Sequence, residues 1–400
     1  MSEISEEYIN CVVNKVAAQN NLKECKHSQL NFESIAQNYF GVLIPLVLNA
    51  KNDGEIVKID IVLKLAPTNE QYRVSGALTQ FFLREIFVYS VILEKYRILQ
   101  RDFPQSLQFL MPKSYYVCKE YCNEAIAMQN MCVDGYKPYT NKMFLDLHHI
   151  TLSLKSLAKF HALSFILKEN DHKLYEESLK VCLPLTALNN KRFMDILANR
   201  LEKALQKLEN TKYVPVLQNL KQNLVNIVES VSSNVQRTCI CHGDIWKENI
   251  LYKYKDDKPI SACIIDYQTA RRSSPAFDTL YLITTSTNTD LRHLHYKELL
   301  STYYETFTSV LSKAGLNSEI EYSRVMFDSD LKVVGPACFI IANTALWLSN
   351  GLQKEGHVRS KNPWNTEEEE VEAVNRYKSA IIGIIEDFVG YGYLTFNCIC

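Results

Sequence analysis

Cys241-His242-Gly243-Asp244-Ile245-Trp246-Lys247-Glu248-Asn249 runs directly into the short apolar segment Ile250-Leu251-Tyr252. Phosphoryl transfer needs a carboxylate to orient the attacking hydroxyl and a nearby amide oxygen to hold a magnesium ion. Asp244 and Asn249, separated by four residues on one loop, offer both groups. Asp244 is the candidate for the first role and Asn249 for the second.

Downstream, Ala262-Cys263-Ile264-Ile265-Asp266-Tyr267-Gln268 is an apolar run that ends abruptly in an acid. A carboxylate at the end of a buried strand is costly unless it is paired or bound to a cation. Asp266 is therefore a second candidate metal ligand. Upstream, Val62-Leu63-Lys64 places a lysine in a β-rich segment, as expected of a lysine that contacts nucleotide phosphates. Glu85 lies in Phe81-Phe82-Leu83-Arg84-Glu85-Ile86-Phe87-Val88-Tyr89, a helical stretch so apolar that an unpaired carboxylate would be expensive. The pattern predicts a Lys64–Glu85 ion pair.

Working outward, Phe40 to Ala50 and Glu55 to Ala66 read as strands joined by the turn Asn52-Asp53-Gly54. Ile59, Ile61, Leu63 and Leu65 share one face, so Lys64 points to the other. A helical pattern runs from Leu78 to Leu99, and strands are expected at Ser114 to Cys118 and Ala125 to Cys132. Beyond Gly135 amphipathic helices dominate: Asn141 to Leu167, Arg192 to Leu208, Val214 to Val231, and four or so more between Phe277 and Val389. The segment Thr238 to Tyr267 interrupts them with short strands. A sheet-rich first third followed by a helical remainder predicts an α+β chain of two lobes, divided near Met131 to Gly135.

The bulk composition fits. With 47% hydrophobic and 22% charged residues, 400 residues make an ordinary globular chain. Lys plus Arg total 44 against 45 Asp plus Glu, so no basic surplus points to nucleic acid or an anionic membrane. The opening MSEISEEYIN is acidic rather than apolar, and the twelve cysteines are scattered, which predicts a cytoplasmic protein with reduced thiols. The most apolar later stretch, Ala337 to Leu348, falls short of the roughly 18 residues a membrane span needs. G-x-S-x-G, G-x-G-x-x-G, Walker and H-E-x-x-H patterns do not occur, which argues against the common hydrolase and dehydrogenase classes.

The blocks HGDIWKEN (242–249), IIDYQTA (264–270), LAKFHA (157–162) and REIFVY (84–89) resemble those of the insect ecdysteroid-kinase-like family, related to choline kinases and aminoglycoside phosphotransferases. The resemblance runs from about Asn38 to past Leu282. It implies a bilobal protein-kinase-like fold, with a small antiparallel-sheet nucleotide-binding lobe (1–131) and a large helical catalytic and acceptor-binding lobe (132–400). It also implies ATP and Mg2+ as cofactors and a small-molecule hydroxyl, such as that of an ecdysteroid or xenobiotic, as acceptor. By this likeness Asp244 is the catalytic base, Asn249 and Asp266 are the magnesium ligands, and Lys64 with Glu85 clamps phosphate. Met128-Gln129-Asn130-Met131 is the hinge whose backbone meets adenine, which assigns Gln129 and Met131 to nucleotide binding. Asn38 falls in the phosphate loop, where Ala36-Gln37-Asn38-Tyr39-Phe40-Gly41 stands in place of the family's usual Gly-Glu-Asn-Tyr-x-Ser. Two further readings are a choline- or ethanolamine-type small-alcohol kinase and a pseudokinase binding module.

Other chemistry-bearing residues receive plainer readings. His242 is expected to brace its loop, and His161 to be a core histidine. Asp278, near a helix start, is expected to cap amide groups and anchor the Asp244 loop. Cys239, Cys241 and His242 have metal-ligand chemistry but no second ligand pair at zinc spacing, so buried small residues are the expectation.

Overall fold

The protein is described here by a computed structural model covering residues 5–30, 41–140, 143–354, 360 and 364–396. Two compact units interleave along the chain, instead of meeting at a single cut between residues 131 and 132. The first comprises Met1–Ile98, Leu110–Pro138 and Leu251–Thr269, and the second comprises Leu99–Phe109, Tyr139–Ile250 and Ala270–Cys400. Strand pairing explains the interleaving: Tyr136–Pro138 pairs with Ile250–Lys255, which pairs with Lys258–Ile264, so a late stretch of chain joins the early unit.

The first unit is built on a five-stranded sheet in the order Lys23–Gln29, Val42–Asn52, Glu55–Leu65, Ala125–Gln129, Ser114–Cys118, with antiparallel neighbours throughout. The central hairpin holds one unbroken register from Val42 opposite Leu65 to Asn52 opposite Glu55. Its turn needs positive φ at both central residues, met by Asp53 (48°) and Gly54 (89°). Alternation then sorts the side chains: Ile44, Leu46, Leu48, Ile61, Leu63 and Leu65 pack against Ile9, Val12, Val13 and Val16 of helix Glu6–Gln19. Lys64 occupies the other face, toward helix Leu78–Phe87. That helix continues through a π-turn, Val88–Ile92, into Leu93–Leu99, so the predicted helix from Leu78 to Leu99 is present with an internal irregularity.

The second unit is helical. Helix Leu147–Asn170 packs on Thr289–Lys313, and Pro275–Ser286 packs on Arg324–Ser349. Every residue from Pro275 to Ser286 is buried, so any polar group on that helix must find partners inside the protein. A two-stranded ribbon, Cys239–Cys241 with Arg271–Ser273, pairs Cys241 with Arg271. The single helix expected from Val214 to Val231 is two, Val214–Gln222 and Leu224–Ser233, parted at Asn223. The Asn223 side-chain amide donates back to Asn219 O and Oδ1, competing for groups a continuous helix would use.

Among the described residues, Leu147–Asn170 and Ser318–Ser349 are long and apolar enough by composition to cross a bilayer. Their most apolar windows are 78% and 72% buried inside the protein, the condition of core helices.

Candidate active site

In the first unit, Lys64 Nζ lies 2.6 Å from Glu85 Oε2 and 3.0 Å from Asp266 Oδ1. The ion pair predicted between Lys64 and Glu85 is present, and the fold adds Asp266 to it. The side chains of Lys64 and Glu85 are 2% and 1% exposed, while that of Asp266 is 17% exposed and so reaches solvent. Strand Glu55–Leu65 supplies the lysine, helix Leu78–Phe87 the glutamate, and the residue pair after strand Lys258–Ile264 the aspartate. Asp266 has φ of 70°, a backbone conformation that a non-glycine residue holds only where its surroundings enforce it. Those surroundings are visible: Tyr267 OH donates to Ile264 O at 3.1 Å, the Tyr267 ring meets Tyr89 edge-on, and Arg84 Nη1 donates to Gln268 O at 3.3 Å.

The charges reinforce this geometry. Burial alone would lower Lys64, but Asp266 and Glu85 outweigh it and hold the ammonium above its usual range. Burial raises Glu85, Lys64 opposes that rise and Asp266 adds to it, so the carboxyl is pushed up to about 7. Both groups are thereby shifted toward the protonated form, Glu85 chiefly by its burial and Lys64 by the two carboxylates beside it.

Gly41 approaches the same cluster. A Cβ there would sit 3.1 Å from Phe82 Cζ, 3.3 Å from Leu65 O and 3.4 Å from Lys64 Cγ. Close packing beside the lysine therefore leaves little room for a side chain at this position. Asn38 and the remainder of the expected phosphate loop lie outside the described residues.

At the expected hinge, strand Ala125–Gln129 ends three residues before the predicted Cys132, because the chain turns. Asn130 Oδ1 accepts from Cys132 N at 3.1 Å, and Tyr136 N donates to Met131 O at 3.1 Å. The Gln129 and Asn130 amides donate to Lys113 O and Asp60 O, and the Gln129 side chain bridges the Lys113 amide and Asp134 Oδ2.

The second unit holds the other cluster. Past strand Cys239–Cys241 the chain turns through Gly243, whose φ of 85° calls for glycine. Asp244 Oδ1 accepts from Tyr281 OH at 3.0 Å, and Asp244 O accepts from Asn249 Nδ2 at 2.8 Å. Because the Asn249 nitrogen is committed to that carbonyl, its amide oxygen faces the other way, as a cation ligand must. His242 braces the loop as expected, with Asp244 N donating to its Nδ1 at 3.3 Å.

Beneath this loop, Asp278 accepts from His242 N at 2.6 Å, from Gly243 N at 3.2 Å, and meets His161 Nε2 at 3.3 Å. It anchors the loop as expected, but the amides it satisfies belong to that loop. The cap of its own helix is Ser274. Lys247 N donates to Ser286 Oγ at 3.0 Å, tying the far side of the loop to the same helix.

Tyr281, which contacts Asp244, is a residue that sequence reading missed. Burial first, then the neighbouring Asp244 charge, pushes its phenol well above the usual range, so it remains a donor. Its signal was available, because Asp278 and Tyr281 are three apart on one helix and therefore share a face.

Within the first unit, Asp266 offers a carboxylate oxygen of the kind magnesium prefers and Lys64 a fixed cation of the kind that binds phosphate; within the second, Asn249 offers an amide oxygen.

The model of the ecdysteroid kinase-like family matches residues 36–316, which include Lys64, Glu85, Asp244, Asn249 and Asp266. No curated protein matches the chain in sequence. Among solved structures, the chain is similar to an ethanolamine kinase of Plasmodium vivax at 14% identity and TM-score 0.48, covering 98% of this chain and 91% of that one. It is also similar to the GDP complex of an aminoglycoside 2'-phosphotransferase at 15% identity and TM-score 0.45, covering 94% and 99%. A choline kinase of Streptococcus pneumoniae aligns at 11% identity and TM-score 0.42, covering 95% and 100%.

Proposed function

Since the chain belongs to the ecdysteroid kinase-like family, we propose that it is a magnesium- and ATP-dependent kinase that phosphorylates a hydroxyl of a small molecule, with an ecdysteroid or a xenobiotic alcohol as the acceptor class. The observation that carries this reading is the buried Lys64, held at once by Glu85 and by the partly exposed Asp266. A purely structural ion pair needs one partner; a lysine with a second, solvent-reaching carboxylate is suited to phosphate and metal.

In this reading Lys64 binds phosphate oxygens, and Glu85 keeps its ammonium in place. Asp266 and Asn249 are the magnesium ligands, and Met131, with Gln129 shaping the turn beside it, meets the adenine. Bound magnesium–ATP supplies the electrophilic γ-phosphoryl group. Asp244 would orient the acceptor hydroxyl and take its proton as that oxygen bonds to the γ-phosphorus and the bond to the departing ADP oxygen breaks. Tyr281 holds the receiving carboxylate in one rotamer.

The first unit, drawn mostly from residues 1–131, is proposed to serve nucleotide binding, and the second, drawn mostly from residues 132–400, catalysis and acceptor binding. Cytoplasmic action fits both the ATP requirement and the free thiols found at every cysteine among the described residues.

The test is a screen that follows ADP release across sterols, amino alcohols and phenols with magnesium–ATP. We expect acceptor-dependent ADP release that is strongest with a steroid or xenobiotic alcohol. Preference for choline or ethanolamine would move the protein to the small-alcohol kinases, and ATP binding without turnover on any acceptor would make it a binding module.

A further inference from the structure

His161 is distant in sequence from Cys239 and Cys241, yet each of the three offers a ligand atom within 4.8 Å of the other two. All three residues are buried, at 0%, 1% and 0% exposure. The strand Cys239–Cys241 brings its two thiols to one face by two-residue alternation, with Sγ to Sγ at 3.6 Å. Two sulfurs bound to one tetrahedral zinc at ~2.3 Å are separated by roughly 3.8 Å, so the present spacing is close to that of a chelating pair.

We propose that His161, Cys239 and Cys241 form a buried site for a thiophilic divalent cation of the zinc class. The sequence offered His242 as the third donor and no distant pair. The fold supplies His161 from helix Leu147–Asn170 instead, because Ile240 N donates to Ser164 Oγ one turn further along and fixes the strand against that helix.

The surroundings already have the form of an outer ligand shell. His161 Nδ1 lies 2.7 Å from Tyr303 OH, and Nε2 lies 3.3 Å from Asp278 Oδ2. Whichever ring nitrogen binds the ion, the other keeps an oxygen partner that orients the imidazole, as metal-bound histidines do. Cys241 Sγ sits 3.4 Å from the carbonyls of Ser273 and Ser274, which hold its side chain in place.

Charge and stoichiometry balance. Zinc displaces one proton from each thiol and the proton on the ring nitrogen that binds it, these protons leave to solvent, and two thiolates with a neutral imidazole balance the two charges of the ion. Two sulfurs and a nitrogen select a soft or borderline ion, so magnesium would not compete here. Asp278 joins this site to the Asp244 loop, since the same carboxylate accepts from His242 N and Gly243 N. The ion would act as a structural brace behind that loop. Because the ligands are buried, it would enter during folding.

The test uses full-length protein expressed in zinc-supplemented medium, passed through a chelating resin while folded, and assayed by plasma mass spectrometry. We expect about one zinc per chain, and its loss from a Cys239→Ser/Cys241→Ser variant. Expression with cobalt should give wild-type protein a thiolate charge-transfer band and visible bands of tetrahedral intensity, a readout that does not depend on the variant folding. Folded wild-type protein without bound metal, or cobalt protein without the thiolate band, would overturn the proposal. So would a folded double variant that retains the metal. None of these readouts measures phosphoryl transfer, so this site and the proposed kinase activity stand or fall separately.

Discussion

Tyr281 OH donates a hydrogen bond to Asp244 Oδ1 at 3.0 Å, from a helix on which every residue is buried. The carboxylate proposed to orient the acceptor is thereby restricted before any acceptor arrives. Tyr281→Phe removes that bond while keeping the ring stacked against Phe277, whose centroid is 5.8 Å away. A hydrogen bond to a charged group contributes about 1.5–3 kcal/mol, so kcat should fall by roughly 10-fold or more. The KM for ATP should change little. Steady-state kinetics of the two proteins check this, and an unchanged kcat would remove Tyr281 from the site.

Glu85 gives a pH dependence with a definite sign. Its carboxyl is raised from 4.5 to about 7 by burial, with Asp266 adding to the rise against the pull of Lys64. Between those values the unfolded chain has lost this proton while the folded chain retains it, so rising pH favours unfolding through this group. Stability of the wild type should therefore decline from about pH 4.5 to about pH 7 relative to Glu85→Gln, which has no such proton. Lys64 does not blur the comparison, because a raised lysine loses its contribution only above that window. Urea unfolding at about pH 5, 6 and 7 measures the difference, and parallel curves for the two proteins would refute it.

Asp278→Asn should weaken both the fold and the site. One carboxylate oxygen now accepts from two loop amides and His161, and an amide NH2 in its place would face the His242 N–H donor to donor. Breaking a buried charged network of this kind costs about 3 kcal/mol. The variant should melt lower and exchange the Gly243 amide faster. Retained Gly243 protection in the folded variant would show that the loop does not depend on Asp278.

Much of this was legible in the sequence, and the reasons are specific. Alternating Ile59, Ile61, Leu63 and Leu65 identified the inner face of the sheet, and an acid stranded in the apolar helix at Glu85 identified the partner of Lys64. Local rules suffice for both, because each depends on a strand or helix period and on the cost of a lone buried charge.

What the sequence hid depends on distant chain segments meeting. No periodicity places His161 beside Cys239 and Cys241, and the meeting of Asp266 with Lys64, 202 positions away, was implied only by the family resemblance. The interleaving of the two units has the same origin. Strand Tyr136–Pro138 pairs with residues more than a hundred positions later, which no single boundary could express. The break at Asn223 was local but subtle, since asparagine is only a weak helix breaker and its side chain decided the outcome.

If Asp266 and Asn249 serve as proposed, magnesium should stabilise the protein only together with ATP. Thermal melting with ATP alone, magnesium alone and both should show the largest rise for the pair, and Asp266→Asn should abolish the increment. An undiminished increment in that variant would exclude Asp266 as a ligand.

The central claim is that Asp244 serves transfer of a phosphoryl group to a hydroxyl. Its most direct test is the rate at which label moves from γ-labelled ATP to the best acceptor, in wild type and in Asp244→Asn protein of matched melting temperature. Loss of the base should slow transfer by roughly 10²- to 10⁴-fold. Transfer at the wild-type rate by the folded variant would contradict it.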